Sequence, residues 1–133
     1  MPEAYIIDAV RTPRGIGKMG KGALSKMHPD HLAATVRAAV KERNGLNTAE
    51  VDDVIWGVSG QIGLQAGDVG RMAALDAGYD VRASGVTLNR LCGSGLTPSR
   101  LEAGQAMSGL EDMVKAGGRE MRPHSSVSAM KQL

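Results

Sequence analysis

Short strand-like segments alternate with helix-like segments along most of this chain of 133 residues. The strand-like segments are rich in β-forming residues, and the stretches between them have small or apolar residues at helical spacing. Such alternation is typical of parallel strands joined by helical crossovers. It predicts an α/β domain with an α-β-α layered arrangement and a mainly parallel sheet. The four predicted strands are Ala4–Val10, Val54–Val58, Ser84–Leu88 and Asp112–Ala116.

Three helices are predicted between these strands. The first extends from about Asp30 to Glu42 and ends at Asn44–Gly45, a common helix terminator. The second covers Asp68–Ala77, and the third follows Cys92 and reaches about Ser108. A brief helical turn is also predicted at Thr48–Val51, with Thr48 as its cap. The predicted element order is therefore β-α-β-α-β-α-β.

The predicted core contains few aromatic side chains. Hydrophobic residues make up 42% of the chain, but Phe is absent and only Tyr5, Trp56 and Tyr79 are aromatic. Aliphatic side chains, alanines and eight methionines must therefore fill the interior. Because Met fills gaps without selecting one packing arrangement, we expect modest stability or a partner surface that completes the core.

Charge and cysteine content exclude several classes of protein. The formal net charge is only +2, and no concentrated basic face with aromatic residues indicates nucleic-acid binding. One cysteine cannot form an internal disulfide, so the fold does not require an oxidising compartment. No N-terminal signal is visible, and no apolar run approaches the roughly 20 residues that span a bilayer. We therefore expect a cytoplasmic protein that binds neither nucleic acid nor membrane.

The segment Gly15–Gly20 matches the G-x-G-x-x-G pattern of dinucleotide-binding loops. In such sites the glycine turn leads directly from a strand into a helix, whose N-terminus binds the pyrophosphate. Here Pro13 lies between the predicted strand and the glycines, and Gly22 follows where the helix should begin. We therefore interpret this segment as a loop rather than a nucleotide site.

The segment with the clearest chemical signal is Asn89–Leu96, which reads NRLCGSGL. A predicted strand leads into it and a predicted helix follows, so Cys92 is expected at or just before a helix N-terminus. Unpaired amides and the helix dipole favour the reactive thiolate there. Gly93 and Gly95 leave room for a thioester, and the backbone N–H of Cys92 can point at a developing oxyanion. A lone cysteine is nevertheless more often inert packing, so this segment alone leaves both interpretations open.

Several separated motifs in a fixed order favour the chemical interpretation. The Asn89–Leu96 segment resembles the signature around the acyl-accepting cysteine of thiolases. Ala116–Met121 (AGGREM) resembles the thiolase segment A-G-G-x-E-x-M with its spacer shortened, Ala9–Pro13 (AVRTP) resembles a common thiolase beginning, and Asp68–Ala74 (DVGRMAA) resembles the helix before the catalytic strand. A ketoacyl synthase, the nearest relative by fold, would lack the Asn89–Arg90 pair.

This resemblance covers roughly residues 3–121 and implies a function. Thiolases transfer an acyl group through a cysteine thioester, either by thiolysis of a 3-ketoacyl-CoA or by Claisen condensation. By resemblance, Cys92 would be the catalytic residue that is acylated, acyl-CoA and CoA would be the substrates, and neither a further cofactor nor a metal would be needed. We predict a thiolase N-terminal-like domain at residues 1–121 and a flexible polar tail at 122–133.

The remaining thiolase motifs do not occur in this sequence. The family supplies its acid-base residues from a G-H-P motif, a C-x-G-G-G-x-G motif and an N-E-A-F or H-E-A-F motif, mainly in a second half of the chain. The loop domain that holds CoA in the family is also missing. His28 and His31 are predicted to be surface or capping residues, and a base role for His124 in the polar tail has no support.

Some residues also depart from the family pattern near the nucleophile. Pro98 falls inside the third predicted helix, where proline costs roughly 3 kcal/mol unless it occupies the first turn. Arg100 is a long charged residue in a helix that should be buried, and Arg122–Pro123 replaces a smaller continuation. These changes place a native nucleophile helix in question.

Two hypotheses follow from the missing half. In the first, the chain is the nucleophile-bearing half of a thiolase and is active only with a complementary half. In the second, it is a truncated or degenerate domain that acts as an interaction module or is a fragment. Either way the fold is expected to be incomplete and to expose an apolar face, so we predict a homo-oligomer or a complex with a complementary thiolase half.

Overall fold

The computed structural model describes residues 2–17 and 20–121. Alternating helices and strands account for most of residues 29–118. Three short 3₁₀ turns lie between them, at Thr48–Glu50, Gly63–Gln65 and Leu91–Gly93. The main elements are α1 (Pro29–Asn44), β1 (Asp53–Gly57), α2 (Val69–Asp76), β2 (Val86–Leu88), α3 (Leu96–Ser108) and β3 (Val114–Gly118).

The three strands form one parallel sheet in the order β2-β1-β3. Ile55 in the central strand is level with Val86 on one side and with Ala116 on the other. Consecutive strands along the chain are joined by a helix, as parallel pairing requires. The predicted α/β class with a mainly parallel sheet is confirmed.

Helices cover both faces of this sheet. Val54 and Trp56 point into the cluster formed with α1 and α2. Gly57 faces the other way, against the backbone of Ser94 just ahead of α3. Because successive strand residues point to opposite faces, α3 packs on the face opposite α1 and α2. The predicted α-β-α layering therefore matches the arrangement of the described residues.

Small residues and two aromatic residues build the core on the α1/α2 face. The prediction that aliphatic side chains and alanines fill the interior is confirmed. The predicted part played by methionines is wrong for most of those that the structure describes, because only Met121 is fully buried and Met113 packs against the core partly buried. Small side chains win there because they let α1 and α2 approach each other and the sheet closely. The buried cluster comprises Ala33, Ala34, Val51, Val54, Trp56, Val58, Val69, Ala73, Ala74, Ala77, Tyr79 and Ala83.

The N-terminal segment is the main error of the sequence-based prediction. Residues 2–17 form no regular strand, and Ile6 and Ile7 are 89% and 82% exposed. A strand is stable only when a neighbouring strand accepts its backbone hydrogen bonds, and none of residues 20–121 lies in that position. Asp8 instead accepts a hydrogen bond from Asn44 Nδ2 at 2.8 Å. The strand predicted at Ala4–Val10 is therefore absent from the described sheet.

The element ends follow local signals, with small corrections. His28 caps α1 by accepting a hydrogen bond from Asp30 N, and Gly45 ends it in the left-handed conformation with φ of 54°. The 3₁₀ turn is capped by Asn47, so the prediction of Thr48 as its cap is wrong. Asn47 is the cap because its side chain accepts a hydrogen bond from Ala49 N, whereas the Thr48 hydroxyl accepts one from Asp80 N.

The last two elements begin later than predicted. α3 starts at Leu96, so Pro98 lies in its first turn, where its missing N–H breaks no hydrogen bond. Arg100 is exposed, so the helix does not bury its charge. β3 starts at Val114 because the amides of Asp112 and Met113 donate to the Asp52 carboxylate instead of a ladder.

Two boundary predictions remain untested. The domain limit at residue 121 stays a prediction, and the predicted tail at 122–133, with its Arg122–Pro123 pair and His124, lies outside the described residues. Within the described ranges, no helix is long and apolar enough to cross a membrane.

Candidate active site around Cys92

Three loops meet at the carboxyl edge of the sheet. Residues 58–60 follow β1, residues 89–94 follow β2 and residues 119–121 follow β3. Because the strands are parallel, their carboxyl ends lie at the same edge, which is where ligands bind in open α/β sheets. Cys92 lies in the second of these loops, within the 3₁₀ turn Leu91–Gly93.

Cys92 is a free and exposed cysteine. Ser94 and Gly95 both have right-handed helical backbone angles, so the turn continues directly into α3 at Leu96. The structure therefore places Cys92 just before a helix, where the sequence predicted it. Its exposure argues against the alternative that this cysteine is buried packing.

The backbone amide of Cys92 is available to a ligand. Its neighbours are occupied: Leu91 N donates to Asn89 Oδ1, Gly93 N to Arg90 O, and Ser94 N to Leu91 O. Cys92 N has no hydrogen-bond acceptor among the residues that the structure describes. An exposed thiol and a free N–H on one residue are the pairing that acyl transfer requires, a nucleophile beside an oxyanion donor.

Leu91 holds an unusual backbone conformation directly before the cysteine. Its φ is +48°, and it is the one non-glycine residue with positive φ in the described ranges. A leucine in this region costs on the order of 1–3 kcal/mol and persists only when its surroundings fix it. Its side chain is 72% exposed, so packing does not supply that restraint.

Hydrogen bonds at both ends of the Leu91 residue supply it instead. Asn89 Oδ1 accepts from Leu91 N at 2.8 Å. On the other side, the buried Ser94 hydroxyl donates to Leu91 O at 2.7 Å and accepts from Arg90 N at 2.9 Å. Asn89 and Ser94 thus fix the turn that carries Cys92.

Glycines at the strand ends allow this turn to approach the sheet. A Cβ on Gly57 would lie 1.8 Å from Ser94 O, and one on Gly118 would lie 3.0 Å from Gly95 Cα. A Cβ on Gly95, by contrast, would meet nothing within 4 Å. Sequence reasoning assigned the space-making role to Gly93 and Gly95 and missed Gly57 and Gly118, which make the close approach possible.

The carboxylate of Glu120 ties the loop after β3 to the loop after β1. Its Oε2 accepts from Ser59 N at 3.1 Å, from Gly60 N at 3.4 Å, and from the Ser59 hydroxyl. Ser59 O in turn accepts from Asn89 Nδ2 at 2.9 Å. The three loops at the carboxyl edge therefore form one hydrogen-bonded unit. The AGGREM motif contains Glu120, but the motif alone does not indicate which loop its carboxylate binds.

A second set of buried polar contacts anchors the end of β3. Gln65 Oε1 accepts from Arg119 Nη1 and from Met121 N, both at 3.0 Å, while Gln65 Nε2 donates to Gly60 O. Arg119 Nη2 lies 3.9 Å from Asp30 Oδ1. Burial lowers the pKa of Arg119 to about 10, so its guanidinium stays charged at neutral pH. These contacts hold Glu120 in place from both sides along the chain.

No described histidine contacts the cysteine turn. His28 caps α1, and His31 Nδ1 lies 3.2 Å from Asp76 Oδ2 on α2, which confirms their prediction as capping and surface residues. The described residues contain no group of His, Cys, Asp and Glu side chains that could hold a metal ion. Glu102, buried in α3, binds the mid-strand amide of Ile55 and lies away from the loops that surround Cys92.

The fold and the site together define a parallel α/β domain with an exposed cysteine on a rigid turn at the carboxyl edge of its sheet. The sequence profile of the family "Thiolase, N-terminal domain" matches residues 4–132. The chain therefore belongs to the thiolase family.

Individual thiolases are similar over most of the chain. It is 45% identical over 118 residues to the steroid 3-ketoacyl-CoA thiolase FadA6 of Mycobacterium tuberculosis, a match that covers 89% of this chain and 28% of that protein. It is 44% identical over 121 residues to the β-ketoadipyl-CoA thiolase of Acinetobacter baylyi, covering 90% and 29%. This chain thus spans less than a third of the length of these relatives.

A solved structure supports the fold in the same way. The acetyl-CoA acetyltransferase of Bacillus anthracis superposes with a TM-score of 0.72 at 36% sequence identity. The superposition covers 79% of this chain and 26% of that one. The predicted thiolase-like fold is confirmed.

Proposed function

We propose that this chain carries the acyl-accepting cysteine of a thiolase-type acyltransferase and that Cys92 is the residue acylated. The observation that carries the proposal is the exposed thiol of Cys92 on a hydrogen-bonded turn, with its own N–H free among the described residues. A nucleophile requires access to substrate, and an oxyanion donor requires a fixed direction. The contacts of Asn89 and Ser94 supply that fixed direction.

The proposed chemistry moves an acyl group from C2 of a 3-ketoacyl-CoA to the sulfur of Cys92 and then to the thiol of CoA. The Cys92 thiolate attacks the 3-keto carbon of a 3-ketoacyl-CoA, and the Cys92 N–H stabilises the tetrahedral oxyanion. Breaking of the C2–C3 bond leaves the acyl group on sulfur and releases the enolate of acetyl-CoA, which takes up a proton. A second CoA thiol then attacks the thioester, forms the new acyl-CoA and frees Cys92. Claisen condensation is the same sequence in reverse.

Proton transfer in this scheme needs groups from outside the described ranges. Neither His28 nor His31 contacts the turn of Cys92, and Glu120 is occupied by three donors of the neighbouring loop. More than two-thirds of the length of the named relatives lies beyond the region that this chain matches. We therefore assign the base and the second acid-base group to a complementary thiolase half.

Exposed apolar side chains on and beside α3 support such a partner. Leu96 and Leu110 are 76% and 78% exposed, and Leu101 and Met107 are also exposed. Apolar groups clustered on one helix favour association because burying them removes apolar surface from water. The proposed partner is a second copy or a complementary half, and the proposed substrates are CoA thioesters without a further cofactor. A cytoplasmic location fits this chemistry.

The test is intact-mass spectrometry after incubation of the purified chain with acetoacetyl-CoA, beside a Cys92→Ser variant. An acetyl adduct that forms on the wild type and not on the Cys92→Ser variant supports the proposal. Absence of an adduct on a chain that circular dichroism shows to be folded refutes activation of Cys92 in this chain by itself. Repeating the incubation with an added complementary thiolase half separates a missing base from an inert cysteine.

A non-catalytic interaction domain is the alternative. The observation that favours it is the combination of exposed leucines on α3 with no histidine beside Cys92 among the described residues. In that case the wild type and the Cys92→Ser variant bind a partner through α3 equally well, and neither protein forms an adduct. Calorimetry measures partner binding for the two proteins, and mass spectrometry measures the adduct. Equal binding without an adduct indicates an interaction domain, whereas an adduct on the wild type indicates an acyltransferase.

A further inference from the structure

Glu120 makes more hydrogen bonds than an exposed glutamate needs for its own stability. Its side chain is exposed, yet one carboxylate oxygen accepts from two consecutive backbone amides and a hydroxyl, at Ser59 and Gly60. Surface carboxylates usually interact with water, because fixing a flexible side chain costs conformational entropy. Three donors converging on one oxygen therefore point to a carboxylate that orders the loop after β1.

The same loop is hydrogen-bonded to the cysteine turn through the side chain of Asn89. Ser59 O accepts from Asn89 Nδ2 at 2.9 Å, and Asn89 Oδ1 accepts from Leu91 N at 2.8 Å. Both ends of one planar amide are thus used, so the position of Ser59 determines the orientation of Asn89. Asn89 in turn fixes the amide of the residue that has positive φ.

We propose that Glu120 is a positioning residue for Cys92, acting through Ser59 and Asn89 on the backbone of Leu91. This inference rests on the proposed function, in which the direction of the Cys92 N–H and thiol matters. Without Glu120, the loop at Ser59 loses three hydrogen bonds and Asn89 loses its fixed acceptor. Leu91 can then relax from its strained conformation, and Cys92 turns with it.

The contacts predict that an acceptor oxygen, and not negative charge, is what the site needs. All three donors converge on Oε2 of Glu120. In a Glu120→Gln variant the amide oxygen can occupy the same place, whereas Glu120→Ala removes the acceptor. Glu42→Ala is the matched control, because Glu42 is an exposed glutamate on α1 whose side chain makes no hydrogen bond or ion pair with the described residues.

Amide hydrogen exchange measured by NMR tests the link without depending on acyl transfer. We expect exchange at Leu91 N to become about fivefold faster or more in Glu120→Ala, which corresponds to the loss of roughly one hydrogen bond. Glu120→Gln and Glu42→Ala should leave it unchanged, and amides of β1 should be unaffected in all variants. If Glu120→Ala does not fold, Glu120→Asp replaces it, because the shorter side chain also cannot reach the three donors.

Two further results complete the test. The Asn89→Ala variant and the Glu120→Ala/Asn89→Ala double variant should show the same Leu91 exchange rate, because both changes break one chain of contacts. An unchanged rate at Leu91 in Glu120→Ala, or equal rates in the alanine and glutamine variants, overturns the proposal. If the wild type forms no acetyl adduct even with an added complementary thiolase half, the proposed function fails, while the exchange data still decide the role of Glu120.

Discussion

The two faces of the sheet differ in how completely they are covered. On the α1/α2 face, the helices bury Ala33, Ala34, Ala73 and Ala74 against the sheet. On the other face, α3 buries only Pro98 and Glu102, while its leucines lie in solvent. The α1/α2 face is a fully covered core, which we call the finished face. The α3 face, which we call the unfinished face, exposes apolar side chains of the kind that another protein segment can cover. Cys92 lies at the start of the unfinished face.

The two faces should therefore contribute differently to the stability of the domain and to its function. Arg37 illustrates the finished face: its guanidinium lies 4.2 Å from the Trp56 ring centroid, and its Nη1 donates to Gly70 O at 2.7 Å. Burial lowers the pKa of Arg37 to about 10, so it remains charged at neutral pH. Stability should therefore depend mainly on the α1/α2 face, whereas association and chemistry should depend on the α3 face.

The largest expected effect is on the stability of the finished face. Trp56→Ala should lower the free energy of unfolding by about 3–5 kcal/mol, because it opens a cavity under α1 and removes the ring beside Arg37. Leu110→Ala, at a position that is 78% exposed, should change it by less than about 0.5 kcal/mol. Urea unfolding followed by circular dichroism measures both, and equal effects would contradict the difference between the faces.

A glycine pair tests how tightly the cysteine turn fits the sheet. Gly57→Ala should cost about 1–3 kcal/mol, because the new methyl group would meet the Ser94 carbonyl oxygen, a backbone atom that cannot move alone. Gly95→Ala should be neutral or slightly stabilising, since its Cβ would meet nothing within 4 Å and its φ is −77°. The first variant should unfold at lower urea and change the rate of Cys92 alkylation by iodoacetamide, whereas the second should do neither.

The buried carboxyl of α3 should make stability depend on pH. The pKa of Glu102 is raised from 4.5 to about 8, mainly by burial and in smaller part by the charges of Asp53 and Glu111, while the hydrogen bond from Ile55 N opposes the rise. Between these pH values the folded chain binds a proton that the unfolded chain does not, so stability falls as pH rises from about 4.5 and levels off above about 8. Below the lower value both states are protonated and this contribution is constant.

The Glu102→Gln variant isolates that contribution. Its amide oxygen can still accept from Ile55 N, but no charge has to be buried. We expect the fall in stability between about pH 5 and pH 9 to be smaller than in the wild type by about 1–3 kcal/mol. Urea unfolding at several pH values measures this, with Glu42→Gln on the exposed side of α1 as the control. Parallel curves for wild type and Glu102→Gln would exclude Glu102 as the titrating group.

The smallest effect on the fold and the clearest effect on association are expected at the surface of α3. Leu96→Asp should change the free energy of unfolding by less than about 0.5 kcal/mol, because the side chain is 76% exposed. It should shift the chain toward monomer in sedimentation velocity at micromolar concentration. An exposed position outside the α3 face, Val81, which is 74% exposed, provides the matched Val81→Asp control. A wild type that is monomeric under these conditions would contradict the predicted homo-oligomer.

Much of the architecture could be predicted because its signals are local. The His28–Pro29 start and Gly45 end of α1, and the short apolar run of β1, need no information about distant residues. The segment Ala4–Val10 has equally good strand composition but forms no strand. Strand formation depends on a neighbour, and β-propensity does not say whether one is present.

The site was predictable only in part for the same reason. The position of Cys92 between strand and helix is local and was predicted. Its supports are not local: Gly57 meets Ser94, and Ser59 joins Glu120 to Asn89, only because β1 lies between β2 and β3 in the sheet. No single segment of the sequence indicates the order of the strands in the sheet. The contacts of Gly57 with Ser94, and of Ser59 with Glu120 and Asn89, could therefore not be predicted from the sequence.

The central claim is that Cys92 carries the acyl group from a 3-ketoacyl-CoA to the thiol of CoA. The most direct test is a chase experiment on the acetylated chain, with the mass of the intact protein followed after free CoA is added. The account predicts that the adduct maps to the peptide containing Cys92 and disappears with CoA while acetyl-CoA is formed. An adduct that persists in CoA, or one that forms equally on Cys92→Ser, would contradict it.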